Sequence, residues 1–440
     1  MPVSVAIVGS GPAGFYTADA LLKLGVDVRI DIIERLPTPF GLIRDGVAPD
    51  HQTTKKVAAK FERTALSDQV RYWGNVEVGR DVGLAELRRM YDAVVLCVGA
   101  PLDRPLGIPG EDKQGVLGSA AFVGWYNGHP DFRGLDPDLN TSAVAVVGVG
   151  NVAIDVARVL VKTEAEMATS DLTGYAAKAI RSAPLTDVYM FGRRGPVEAK
   201  FTNVELREMG KLENSVPQVD AAQLPDGVGD LPDRERRLKE KNLATLREFS
   251  VRRADEKPKR VHFWFYAAPV EVLGGDRVEG LRLERTRVEK GRAVGTGEFF
   301  DIACGVVIAA IGYRADPVEG APFDGGRQIV ANTDGRVADR LYAAGWIMRG
   351  PTGVISSNRA DGAAVAELVG ADVPEGTKPG REALEKLLGE RRVRHVGYAE
   401  WKMIEAAEAA NATPPAPRRK FVTVEDMLAV LDGADERSVG

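Results

Sequence analysis

Gly9-Ser10-Gly11-Pro12-Ala13-Gly14 is a complete G-x-G-x-x-G run. Glycines at this spacing bring a backbone against a pyrophosphate. The first permits a tight turn, the second lets phosphate oxygens approach backbone N–H groups, and the third lets the following helix pack closely on the preceding strand. The helix N-terminus adds free N–H groups and the positive end of its dipole. Glu34 lies 20 residues beyond Gly14, where a carboxylate can accept hydrogen bonds from the hydroxyls of an adenosine ribose.

A second run, Gly148-Val149-Gly150-Asn151-Val152-Ala153, repeats the pattern with alanine in the third position. No acid stands at the end of its next strand, which reads Gly192-Arg193-Arg194 instead. Guanidinium forks pair with phosphate oxygens that a carboxylate would repel, so this half suits NADP(H), with its 2'-phosphate, rather than NAD(H). A solvated arginine loop is the alternative. Two dinucleotide motifs of different preference in one chain imply FAD at the first and NADPH at the second.

These residues need strands and helices to hold them. Residues 3–9 read as a short buried strand, the segment up to Gly25 as a helix and residues 28–34 as the next strand, a unit that forms parallel sheet with a right-handed crossover. The same order returns with a strand at 143–148, a helix from Asn151 to Val161 and a strand at 187–192. Further strands are expected at 91–99, 260–273, 280–290, 304–313 and 341–346, and a helix at 357–370. From about Val373 the chain reads as polar packing and surface helices broken by the Pro-rich run NATPPAPRRK. The expected class is α/β with two Rossmann-like domains.

Composition excludes other chemistries. The 440 residues are 44% hydrophobic and 28% charged, an ordinary globular balance with room for two or three domains. A formal charge of -5 offers no global basic excess for nucleic acid. Cys97 and Cys304 stand alone in apolar runs, so no C-x-x-C pair, iron–sulfur ligand set or disulfide framework exists. The four histidines are too scattered to suggest zinc, and no metal is expected. No run approaches a membrane span and the N-terminus reads as free of a targeting segment, so a cytoplasmic setting is expected.

Three further runs are informative together: LPTPFGLIRDGVAPDH at 36–51, FGRRGPVEAKFTNVELREM at 191–209 and AAGWIMRGPTGVISSN at 343–358. With the two glycine motifs they resemble the adrenodoxin-reductase-like family of NADPH:ferredoxin reductases, in order, from about residue 3 to residue 370. The resemblance implies FAD contacts at Ala13, Glu34, Leu42, Val78, Trp346, Gly353, Val354 and Ile355. It implies NADPH contacts at Val149, Gly150, Asn151, Val152, Arg193, Arg194 and Glu205, and again at Gly353. His51 and Glu208 match positions assigned to proton handling beside the reacting rings, and shaping the pocket by hydrogen bonding is the competing role. Gln52 stands where many relatives have proline, a departure expected to loosen that turn.

The expected protein is a flavoenzyme that takes hydride from NADPH onto FAD and passes single electrons to a ferredoxin-type iron–sulfur protein. Its FAD domain would comprise residues 1–105 and 325–440, its NADP domain residues 106–324, with both cofactors facing one cleft. The alternatives are a reductase subunit or diaphorase serving another acceptor, and a low-turnover flavin- or NADP-binding sensor. The missing C-x-x-C disfavours thioredoxin reduction. Residues 233–260 hold eleven Lys or Arg against six Asp or Glu. That segment is either a salt-bridged solvent face or a surface that steers an acidic ferredoxin.

Overall fold

The computed structural model describes residues 1–438, which form two compact units. The first comprises Met1–Leu102, Asn127–Arg133 and the chain from Tyr313 on; the second comprises Asp103–Tyr126 and Gly134–Gly312. Each is built on a parallel sheet, giving the expected α/β class with one dinucleotide-binding unit inserted in the sequence of the other.

The first unit opens with β1 (Val3–Val8), α1 (Pro12–Lys23), β2 (Val28–Ile33), β3 (Val70–Trp73) and β4 (Ala93–Leu96). Strand β1 is buried along its whole length and pairs in parallel with β2 on one side and β4 on the other. A strand covered on both faces needs a continuous apolar run, which is what VSVAIV supplies. Asp31 is the polar exception in β2. It accepts hydrogen bonds from Trp73 Nε1 at 2.8 Å, Arg381 Nε at 2.9 Å and the Tyr91 hydroxyl at 3.1 Å. Burial pushes its carboxyl above the usual range despite the Arg381 charge.

The second unit contains β5 (Val116–Gly118), β6 (Ala143–Val147), α2 (Asn151–Val161), β7 (Asp187–Phe191), α3 (Asn203–Met209), β8 (Ser215–Val219) and α4 (Asp233–Ser250). It continues with β9 (Lys259–Trp264), β10 (Ala267–Leu273), β11 (Gly280–Glu289), β12 (Arg292–Ala303) and β13 (Val306–Ala309). The parallel order is β5-β13-β6-β7-β9-β8, and β10-β11-β12 form a separate antiparallel sheet. The single strand expected over 260–273 is thus two strands in different sheets. Tyr266, at φ 54°, turns the chain between them.

Back in the first unit, β14 (Arg336–Ala338) and β15 (Leu341–Ala343) complete the order β14-β15-β4-β1-β2-β3. Helices α5 (Asn358–Asp372), α6 (Arg381–Glu390), α7 (Tyr398–Ala410) and α8 (Val424–Ser438) follow. In both units the strand leading into a glycine motif has a neighbour on each side, the switch-point arrangement that opens a crevice at the strands' carboxyl ends. Among the described residues no helix is long and apolar enough to cross a membrane.

Candidate functional site

The two glycine turns are built alike. Gly9 N–H donates to Ile33 O at 2.8 Å and Gly148 N–H to Phe191 O at 2.9 Å, tying each turn to the end of the neighbouring strand. Gly9 and Gly148 have φ of 106° and 141°. A Cβ added to either would lie 2.6 Å from Cys97 O or 2.3 Å from Ala310 O. Gly11 and Gly150 differ in kind: a Cβ there would meet no non-neighbouring atom within 4 Å. The second glycine of each motif therefore faces open space, the cradle a pyrophosphate needs. At the third position a Cβ on Gly14 would be 2.1 Å from Gly9 O, whereas the second motif accommodates Ala153, fully buried.

In the first unit Glu34 directly follows β2 and is half-buried. Its Oε2 accepts from Ser10 N–H at 3.0 Å and Ser10 Oγ at 2.7 Å, and its Oε1 from Leu36 N–H at 3.2 Å. A carboxylate offers about four acceptor sites, so Oε1 keeps capacity for a ribose hydroxyl. Leu42 follows Gly41, whose Cβ would stand 3.1 Å from Gly11 Cα, so this loop lies on the first glycine turn. His51 is half-buried in the same loop, and its carbonyl accepts from Thr54 N–H at 3.0 Å. Gln52 fastens the turn that it was expected to loosen, through a 2.8 Å bond from Nε2 to Pro49 O. Val76 N–H donates to Glu34 O at 2.9 Å, and half-buried Val78 lies two residues beyond that tie.

Trp346 follows Gly345, whose Cβ would lie 2.6 Å from Ala13 Cβ and 3.0 Å from Asn358 Oδ1. One turn on, a Cβ on Gly362 would lie 2.7 Å from Thr17 N. Helices α1 and α5 therefore run side by side in the same direction, with their positive N-terminal ends together. The Gly353-Val354-Ile355 turn sits there, closed by a 3.0 Å bond from Trp346 Nε1 to Thr352 O. Arg349 also donates to Thr352 O and pairs with Asp361 at 2.7 Å, a support that no local motif announces. Leu42 and Val354 are 48% and 56% exposed, large apolar side chains left uncovered beside the turn.

In the second unit Val149 packs on Gly192, where an added Cβ would be 2.8 Å from Val149 Cγ2. Asn151 Oδ1 accepts from Thr202 N–H at 2.8 Å, linking the glycine turn to α3. Val152 is half-buried beside it. Glu205 and Glu208 come together on α3 around the guanidinium of Arg158, at 3.4 Å each, and Asp155 pairs with the same guanidinium at 2.8 Å. Arg158 is fully buried on α2. The i, i+3 acid–base pair inside the apolar helix NVAIDVARVLV was the sequence signal for it.

Arg193 is exposed and Arg194 half-buried at the end of β7. Both line a cleft of about 610 Å³ together with Arg292, a third arginine that the glycine-motif logic did not reach. The basic stretch 233–260 divides sharply. Lys239 donates to Ala199 O, Arg247 to Pro225 O and Arg252 to Gly210 O, and Arg260 forks onto Asp187 at 2.6 Å. Burial lowers the pKa of the Lys239 ammonium. Arg234, Arg237 and Lys241 are exposed on α4 and, among the described residues, have no ion-pair partner.

Residues 3–181 match the pyridine nucleotide-disulphide oxidoreductase family pattern. The chain is 41% identical to the mitochondrial NADPH:adrenodoxin oxidoreductase of Arabidopsis thaliana, over 97% of this chain and 95% of that protein. It is 37% identical to the NADPH-ferredoxin reductase FprA of Mycobacterium tuberculosis, over 98% and 99%. The chain belongs to the NADPH:adrenodoxin and NADPH-ferredoxin reductase family. Its fold superposes on the structure of Mycobacterium tuberculosis FprA in complex with NADPH with a TM-score of 0.92, at 36% identity, covering 98% of this chain and 99% of that one. For a reductase of this family the duplicated turn is the central feature: one copy ends in Glu34, the other in Arg193 and Arg194.

Proposed function

We propose that the chain is an NADPH:ferredoxin oxidoreductase that holds FAD in its first unit and NADP(H) in its second. The observation that carries this reading is the pair of open glycine cradles at Gly11 and Gly150, one continued by a ribose-accepting carboxylate and the other by arginines. Bound FAD supplies the conversion of a two-electron hydride from NADPH into single electrons for an iron–sulfur acceptor.

The chain's own residues bind and orient. Gly9, Gly11, Ala13 and Gly14 offer backbone to the FAD pyrophosphate, and Glu34 accepts from its ribose. Leu42, Val78, Trp346, Gly353, Val354 and Ile355 cover the flavin and exclude water. Gly148, Val149, Gly150, Asn151 and Val152 cradle the NADPH pyrophosphate, Arg193 and Arg194 pair with its 2'-phosphate, and Glu205 fixes the nucleotide. His51 and Glu208 are the proton-handling pair, the imidazole exchanging the proton and the Glu208 carboxylate kept ionised and positioned by Arg158. Arg234, Arg237 and Lys241 present positive charge to an acidic ferredoxin. A cytoplasmic location accords with two lone, buried thiols and is checked by cell fractionation.

The test is direct. The purified protein is expected to be yellow, to release FAD on denaturation, to bleach with NADPH far faster than with NADH, and to reduce ferredoxins of its own source. Rapid ferricyanide reduction with negligible ferredoxin reduction identifies a diaphorase instead, and slow reduction of both identifies a sensor.

A further inference from the structure

The arginine-lined cleft of the second unit is completed from a part of the chain far from either glycine motif. Strands β11 and β12 are joined by Lys290 and Gly291, at φ 47° and 75°, the two-residue hairpin geometry that needs positive φ at both central positions. Register places Glu289 opposite Arg292, so Arg292 is the first residue of a paired strand rather than part of a free loop. The hairpin is fastened to the end of β7. Arg194 Nη1 donates to Gly291 O at 3.2 Å and Thr286 Oγ1 to Arg193 O at 2.8 Å, while Tyr266, between β9 and β10, links the two by donating N–H to Arg194 O at 3.1 Å and accepting from Thr286 N–H at 2.9 Å.

We propose that Arg292 is a third ligand of the NADPH 2'-phosphate and a determinant of the preference for NADPH over NADH. The inference rests on the assignment of Arg193 and Arg194 to that phosphate. All three arginines line the same cleft, beside Glu284 and Thr286. Of the carboxylates on the hairpin strands, Glu289 pairs with Arg287 at 2.5 Å, Glu298 with Arg285 at 3.9 Å and Asp301 with Arg282 at 2.9 Å, while Glu284, which lines the cleft, accepts from Gly297 N–H at 2.9 Å. Among the described residues the Arg292 guanidinium has no hydrogen-bond or ion-pair partner. Three guanidinium groups against one carboxylate leave an excess of two positive charges, matching a phosphate monoester of about -1.5 to -2 near neutral pH. Lys290, two residues away with the same charge, does not line the cleft.

The experiment compares R292A, R292K, K290A, R193A and R194A by steady-state kinetics with NADPH and NADH. Direct titration with adenosine 2',5'-bisphosphate and with adenosine 5'-monophosphate as probes accompanies it. R292A is expected to raise KM for NADPH and Kd for the bisphosphate roughly tenfold, the loss of one charge-assisted contact. Its KM for NADH, its kcat and its affinity for the 5'-monophosphate are expected to stay unchanged, with partial recovery in R292K. If R292A behaves within twofold of K290A while R193A and R194A weaken NADPH binding, the role of Arg292 is overturned and the NADP site stands. If none of the three arginine-to-alanine variants separates NADPH from NADH, the 2'-phosphate assignment of the whole cleft falls.

Discussion

Arg44 donates from both terminal guanidinium nitrogens to the carboxylate of Glu408, at 2.9 and 2.5 Å, across 364 positions of sequence. Both side chains are buried, at 4% and 0% exposure. Around them Lys420 Nζ donates to Arg44 O at 2.7 Å and Asn127 O at 2.8 Å, and Phe421 N–H to Glu408 Oε1 at 3.0 Å. The C-terminal segment is thereby pinned beneath the short helix Leu42–Asp45, whose first residue is assigned to the flavin.

Glu408→Ala leaves the Arg44 guanidinium buried without its main counter-charge. Removing one partner of a buried ion pair costs about 3–5 kcal/mol, far more than an exposed pair. Urea unfolding should show that loss, with weaker FAD retention because the Leu42 turn loses its support. A loss below about 1 kcal/mol would show that the pair is dispensable.

The third and second glycines of the first motif answer to different forces, so their alanine variants should fail differently. In Gly14→Ala the new Cβ falls on Gly9 O at 2.1 Å, and backbone against backbone yields little. Backbone-on-backbone overlap puts the strain toward the upper end of about 1–3 kcal/mol, more than the roughly 1 kcal/mol that alanine contributes to a helix. In Gly11→Ala the Cβ meets open space, so the apoprotein should melt within a few degrees of the parent while its FAD affinity falls at least tenfold. Thermal unfolding of the apoprotein and flavin titration separate the two; retained FAD affinity in Gly11→Ala would sink the cradle.

What the sequence revealed and what it hid follows from the range of the forces involved. Helix α2 begins and ends at Asn151 and Val161 as expected, because the glycine turn and the apolar periodicity are both local. Strands β1 and β6 were legible as continuous apolar runs, and β2 and β7 as the mostly apolar segments that close each strand–helix–strand unit. Strand β8 was not, since SVPQV carries a proline that only an edge strand tolerates. The run 260–273 concealed its break because nothing in its apolar pattern marks the positive φ at Tyr266. Arg292 reaches the arginine cleft through hairpin register, and Arg44 meets Glu408 through tertiary packing. Neither relationship has a local motif, and the helical tail read as bland packing contains one side of the Arg44 cluster.

The basic stretch yields a narrower prediction than its composition suggested. Arg234, Arg237 and Lys241 recur at helical spacing on one face of α4, whereas most of the other cations there are tied to backbone or acid groups. Reversing these three to glutamate should lower kcat/KM for ferredoxin at least tenfold at low salt and leave ferricyanide reduction unchanged. The deficit should shrink as ionic strength rises, since screening removes steering between exposed charges. Equal ferredoxin kinetics in parent and variant at low salt would remove the docking role.

The thiols supply a prediction with a defined pH window. Burial pushes the Cys97 thiol up to about 12, and burial does the same for Cys304, against an ordinary value of 9.0. At pH 8 only about one in ten thousand of either is a thiolate in the native state, and the thiolate is the reactive form. A chromogenic disulfide reagent should therefore label neither cysteine in the folded protein at pH 8, and both in urea. The sign of the linkage is set by the raised native values: their contribution to stability is whole below about pH 9 and fades as pH rises toward about 12. Fast native labelling of Cys97 would contradict this burial. It would also place a reactive thiol behind the first glycine turn, where its carbonyl now stands 2.6 Å from the Cβ that Gly9 lacks.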